Sequence, residues 1–315
     1  MTRNQSIDLV KIIAMIMVVR MHIGLNHNLE HFAPFSFIHG IISPAVPLFF
    51  MVSGYLMQSK MPDYKYVWRK ILGILKYVYI IIPIACVFTG IFEHHPRPHS
   101  LYLWIIGGGN LWQFWYFAAI ILVYVCAPIV CKWITTTKAN IIIACDALLC
   151  TTVVILNVYY QFEEKYVIAT FRIWTWLLYF MIGAYIKQYG CNKNINWLWV
   201  LVMVGNAAIF INRSLTPKFD YLYGSAICAA YAYCIFCACI NTKLSDSKII
   251  KELSALFLPV YTLHPFAIQL YGKYLHIDCF QQFSGTICFM IVLIATFGIS
   301  WLLMRIPYVK NIFRI

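Results

Sequence analysis

The chain has 315 residues, of which 62% are hydrophobic and only 11% charged, with a formal net charge of +13 and a mean hydropathy of +0.76. A soluble domain is nearer half apolar and a quarter charged, so a water-soluble fold is excluded, because it could not hide that surface. One large buried core is excluded too, since apolar runs of about 17 to 22 residues recur along the whole chain and match the thickness of a bilayer.

In chain order, the apolar runs predict about ten membrane spans, near 7–26, 41–58, 71–92, 112–131, 140–158, 172–188, 196–212, 222–240, 254–271 and 286–304. The expected fold is therefore all-α, a polytopic membrane protein with the lipid bilayer as its solvent. The first run starts at Leu9, carries Lys11, Arg20 and His22, and lacks a small-residue cleavage site, so it reads as a retained span rather than a signal peptide. No long polar linker and no convincing internal repeat divides the chain, which predicts a single domain over 1–315.

The basic excess would suggest nucleic acid in a soluble protein, but here it lies mainly in short segments between runs and reads as a topology signal, with no nucleic-acid partner. Assigning those segments alternately to the two sides puts 15 Lys and Arg on one side and 6 on the other, with Lys11, Arg20 and Lys76 inside spans. The positive-inside rule then places both termini in the cytoplasm and the protein in the cytoplasmic membrane.

The 12 cysteines sit mostly singly in apolar stretches and read as reduced, lipid-compatible residues. Cys234, Cys237 and Cys239 are closer together, but no second pair and no neighbouring His completes a metal or redox pattern. His27, His31, His39, His94, His95 and His99 fall in the first two outward loops without a ligand spacing, so no metal is expected.

An ionisable side chain inside a span is costly, and each one is a candidate functional residue. Lys11 and His22 are eleven positions apart, which leaves them within about 20° of one helix face and about 16 Å apart along the axis. One face thus carries a cation toward the cytoplasm and a proton acceptor further out. Snorkelling of Lys11 and an interfacial His22 fit the spacing equally well. Arg20 points about 160° away from His22, as a contact to another helix or an anchor would. His264 stands in Val260-Tyr-Thr-Leu-His-Pro-Phe266, where Pro265 loosens the helix. Membrane helices tolerate that where the freed groups line a cavity or find polar partners, so both a substrate pocket and a packing histidine are open.

These patterns resemble the acyltransferase 3 family of membrane-bound acyltransferases. Ser6-Ile-Asp8-Leu-Val-Lys11, followed after ten residues by His22, is similar to the family's opening basic residue and His. Val46-Pro-Leu-Phe-Phe-Met-Val-Ser53-Gly54 resembles its paired Phe and Ser-Gly, with Arg69 and Lys70 in the basic segment beyond. Leu111-Trp-Gln-Phe-Trp115-Tyr116-Phe117 is similar to its aromatic patch, Phe180-Met-Ile-Gly183-Ala184 to its Phe-x-x-Gly span, and Tyr261-Thr-Leu-His264 to its late Tyr-x-x-His. The resemblance runs over essentially the whole chain in order. Two departures stand out: Lys11 where the family often has Arg, and Arg20 where it usually has an apolar residue.

The resemblance implies transfer of a short acyl group, most often acetyl from acetyl-CoA, to a hydroxyl of a cell-surface or lipid-linked saccharide. It implies His22 as general base or acyl carrier, Lys11, Arg69, Lys70 and Lys76 as cations for the donor, and no permanently bound cofactor. His264, Ser53, Trp115, Tyr116 and Tyr261 are the expected substrate-pocket residues, with Asp8 pairing with Lys11. Trp115, Tyr116 and Phe117 would also suit an interfacial aromatic belt. The chain ends soon after the last run, without the extracellular hydrolase-like domain of some relatives, so transfer is expected within the membrane domain. A transporter or flippase for a lipid-linked glycan is the main rival. It predicts tolerance of change at His22 and usually repeat symmetry. An envelope assembly protein would be expected to have larger soluble loops. Composition and motifs leave the oligomeric state open.

Overall fold

A computed structural model of the chain describes residues 4–23, 33–93, 100–160, 166–191, 202–206, 222–275 and 282–313. All regular structure among these residues is helical. The principal helices are α1 (Gln5–Met21), α2 (Ala33–Ile42), α3 (Ala45–Gln58), α4 (Tyr64–Glu93), α5 (Trp115–Ile134) and α6 (Ala139–Tyr160), followed by α7 (Ile173–Tyr189), α8 (Ala226–Asn241), α9 (Lys248–Ala255), α10 (Phe257–Leu275), α11 (Gln282–Leu303) and α12 (Pro307–Ile312).

Five stretches among the described residues are long and apolar enough to cross a bilayer, namely Ile38–Gln58, Tyr64–Gly90, Leu111–Ile134, Ala139–Asn157 and Gly285–Leu303. A sixth is formed if α9 and α10, bent by 54° at the break between them, act as one span. The chain is thus a helical, multi-pass membrane protein. Helix α8 is apolar but shorter, at 16 residues, and α1 and α7 have 17 residues each. The run near 196–212 and the histidines at 27, 31, 94, 95 and 99 lie outside the described residues, apart from 202–206.

Polar residues set the helix starts. The Asn4 side chain accepts from the Ser6 N–H at the head of α1, Ser225 caps α8 and Ser247 caps α9. Such caps satisfy backbone donors that a helix start leaves unpaired. The break between α2 and α3 has an equally local cause. Pro44 brings no N–H, so the Gly40 carbonyl four residues back loses its helical donor. It receives instead the Asn206 side-chain amide at 2.6 Å and the Ser43 hydroxyl at 3.0 Å, while the Ile41 carbonyl accepts from the Tyr231 hydroxyl at 3.2 Å. In a bilayer an interrupted helix persists only with such replacement partners.

By packing, the chain forms two compact units, one of Met1–Val52 with Cys191–Asn311 and one of Ser53–Gly190 with Ile312–Ile315. In the first, α1 packs against α2, α8, α9, α10 and α11. Its core includes Phe49 against Phe257, with ring centroids 4.7 Å apart. In the second, α4 packs on α5, α5 on α7 and α7 on α6. The tightest approach there is at Gly54: a Cβ on this residue would lie 1.9 Å from the Phe180 carbonyl oxygen and 3.1 Å from the Ala184 amide nitrogen. The Ser-Gly and Phe-x-x-Gly-Ala sequences are therefore two halves of one helix contact, in which small residues let backbones meet.

Candidate functional site

In the first unit, α1 is shorter than its apolar run, and His22 stands at its C-terminal cap with right-handed helical torsions rather than inside the helix. Its ring meets that of His264 from α10, with His22 Nδ1 2.5 Å from His264 Nε2. The rings are 6° from coplanar and their centroids 4.8 Å apart. That separation equals the nitrogen–nitrogen distance plus one ring radius on each side, so the imidazoles meet edge to edge in one plane. This is hydrogen-bond geometry, not face stacking.

The bond has a direction. His264 is fully buried, and its Nδ1 lies 3.1 Å from the Val260 carbonyl, which can only accept. In neutral His264 the proton therefore sits on Nδ1, leaving Nε2 as an acceptor. His22 must then donate from its own Nδ1, and its Nε2 keeps a lone pair. The same turn explains the position of Pro265: lacking an N–H, it withholds the helical donor of the Tyr261 carbonyl, and the His264 side chain also reaches the Tyr261 backbone. The Tyr261 ring lies 5.9 Å from that of His264. His22, unlike His264, is partly exposed.

The other end of α1 holds a polar cluster. Asp8 is buried and its Oδ1 accepts from the Ser254 hydroxyl at 2.7 Å. Lys11 Nζ is 3.7 Å from the same oxygen. One turn earlier, Gln5 donates to Asp246 at 2.7 Å and accepts from the Ser247 N–H at 3.1 Å. Asp246 is in turn paired with Lys251. These bonds fasten α1 to both ends of α9, Asp246 and Ser247 at its start and Ser254 near its finish, and fix the carboxylate that accompanies Lys11.

The second unit holds the remaining candidates. Ser53 hydrogen-bonds the side chains of Tyr116 and Tyr124. Tyr116 and Phe117 are buried, with their rings 5.8 Å apart, whereas Trp115 is partly exposed and leans on Trp176 at 5.3 Å. Of the aromatic patch, Trp112 and Trp115 are the partly exposed rings. Arg69 and Lys76 are exposed on the same face of α4, alongside Trp68, Leu72 and Tyr79. Lys70 is turned about 120° from Lys76 and is only partly exposed. Of the cations expected to serve the donor, Arg69 and Lys76 thus share one direction on α4 and Lys70 takes another.

Asp246, Ser254 and Gln5 were not singled out by sequence, because a polar residue at a helix end carries no signal of its partner. Asp146 is different. It lies within the apolar run of α6, and its Oδ2 is buried without a hydrogen-bond partner. Scanning the spans for acids as well as bases would have found it. Among the described residues, no group of three or more His, Cys, Asp and Glu side chains is gathered as metal ligands would be.

The family model described as an acyltransferase domain covers residues 4–305. No curated protein and no solved structure matches the chain.

Proposed function

Since the chain belongs to the acyltransferase 3 family and is an acyltransferase of the membrane, we propose that it is an O-acetyltransferase that moves acetyl from acetyl-CoA to a hydroxyl of a cell-surface or lipid-linked polysaccharide. The observation that carries this reading is the directed pair of His22 and His264. Neutral imidazole is suited to proton transfer near neutral pH, and here its tautomer leaves Nε2 of His22 unprotonated.

In the proposed reaction that nitrogen takes the proton of the acceptor hydroxyl as its oxygen attacks the thioester carbonyl. The tetrahedral adduct collapses, the carbon–sulfur bond breaks, and the proton passes from His22 to the departing CoA thiolate. If the acetyl group first rests on the enzyme, the same Nε2 is the nucleophile and the acceptor hydroxyl attacks second. His264 holds the ring and spreads the positive charge that develops on it.

Lys11, paired with Asp8, and Arg69, Lys70 and Lys76 of α4 are the cations we assign to the donor phosphates. Lys offers a point charge rather than the fork of Arg. Ser53, Trp115, Tyr116, Tyr261 and His264 are assigned to the substrate pocket. Trp115 is the residue suited to stacking on a sugar. Ten spans with both termini in the cytoplasm complete the reading, with the protein in the cytoplasmic membrane. That orientation puts Lys11 toward the side where acetyl-CoA is made and His22 toward the side where surface glycan is exposed.

The test is to express the protein in a host without glycan acetylation, feed labelled acetate, and compare surface glycan from wild type and His22→Ala. Label in the wild type alone supports the reading. Equal label in both removes His22 from the chemistry, and label in neither removes glycan acetylation in that host.

A further inference from the structure

We propose that Arg20 is a positioning residue that ties down the end of α1 and so holds His22 in its hydrogen bond to His264. The functional consequence rests on the acetyl-transfer reading. The positional one does not.

At the C-terminal end of α1 the His22 N–H bonds the Val18 and Arg20 carbonyls, and the Ile23 N–H bonds the Arg20 carbonyl at 3.2 Å. Beyond that point the helical ladder stops, and a helix end leaves carbonyls without donors. The Ile23 carbonyl lies just past the helix, on a residue that is itself buried, where an unmet carbonyl is costly. Arg20 meets it: Nη1 donates to the Ile23 oxygen at 2.6 Å.

His22 is enclosed by this contact, since the Arg20 side chain reaches across from one side of it in sequence to the other. The guanidinium is buried and lies over the Phe289 ring of α11, 5.9 Å from its centroid. A cation at a helix C-terminus also meets the negative end of the helix dipole. Met21, the residue between, is a further anchor, with its sulfur accepting from the Tyr223 hydroxyl at 3.5 Å. The end of α1 is thus fastened to α11 through Arg20 and to the chain before α8 through Met21.

The pairing of two imidazoles is sensitive to such fastening. A hydrogen bond fades when its partners part by about 1 Å, and both the tautomer of His22 and the aim of its Nε2 depend on that bond. Arg20 points away from His22 around the helix, so it acts through the backbone rather than on the reacting atoms.

The experiment uses the purified full chain with ¹⁵N-labelled histidine, the His22 signals being identified by their loss in His22→Gln. Wild type is expected to carry its His22 proton on Nδ1. Arg20→Met is expected to lose that signature while the other histidine signals stay in place. Acetyl labelling in cells should fall on the order of 10²-fold, the cost of a misplaced catalytic group. Arg20→Lys, which keeps a charge and a donor, should retain the tautomer and most of the label. Should Arg20→Met not accumulate, Arg20→Gln, polar but too short to span to the Ile23 carbonyl, replaces it with the same expectation.

A wild-type His22 tautomer in the Met or Gln variant overturns the inference whatever the activity. A changed tautomer with undiminished labelling supports the positioning role and instead overturns the place of His22 in acetyl transfer.

Discussion

His264 touches the Val260 carbonyl on one side and His22 on the other, so the direction of the pair is set by a group that cannot change its role. Two predictions follow from this chain of bonds. His22→Ala removes the proton acceptor and should reduce acetyl labelling by about 10²- to 10⁴-fold, the usual worth of a general base. His264→Ala leaves His22 in place but frees its orientation, and should cost about 10- to 10²-fold, as loss of an orienting partner does. Labelling of surface glycan per unit of membrane-inserted protein reads both, and a larger loss at His264 than at His22 would reverse the assigned roles. Both histidines were legible in the sequence, because imidazole is out of place in an apolar run. Their meeting was not, since 242 positions separate them and nothing local to either names the other. The placement of His22 at the helix end was also hidden, because hydrophobicity continues past Met21 while the helix does not.

The α2–α3 break falls where Pro44 withholds an N–H, whereas α4, α5 and α10 run on through Pro83, Pro128 and Pro265. Asn206 answers Pro44 by donating to the Gly40 carbonyl and to Ser43. Asn206→Leu should therefore destabilise the protein by about 1–3 kcal/mol, the cost of buried groups left unmet, seen as a lower melting temperature in detergent with the α2–α3 break intact. Gly54→Ala makes a stronger test of packing. Its Cβ would fall 1.9 Å from a backbone oxygen of α7, which no side-chain rotation relieves, and overpacking of this kind costs about 1–3 kcal/mol or more. Reduced yield and a lower melting temperature are expected, whereas a neutral Gly54→Ala would show that α3 and α7 have room to part. The break at Pro44 was not legible, since the apolar run continues over 41–58, but the Ser-Gly and Phe-x-x-Gly motifs could be read from the sequence. That the two motifs are a single contact could not, because a glycine records permission for close approach without naming the neighbour.

For the molecule as a whole, composition alone established a helical membrane protein, and the described helices agree with that. Their packing into two units, with the chain leaving the first after Val52 and re-entering it at Cys191, had no counterpart in composition, since no polar linker marks either crossing. The prediction at this scale concerns insertion and sidedness. The protein should stay in the membrane pellet through alkaline carbonate washing, and a reporter active only in the cytoplasm should be active when fused after Ile315. An active periplasmic reporter at that site would overturn the proposed orientation.

The meeting of α3 and α7 at Gly54 also bears on how this sequence can change over generations. In a saturation scan, position 54 would be a column with one permitted letter, because the obstacle is main chain and no second-site substitution on α7 can remove a carbonyl. Ser53 next to it, whose hydroxyl engages two tyrosine side chains, should accept Thr or Cys when the tyrosines adjust. Two neighbouring codons would then carry opposite histories, one frozen by geometry and one negotiable by chemistry.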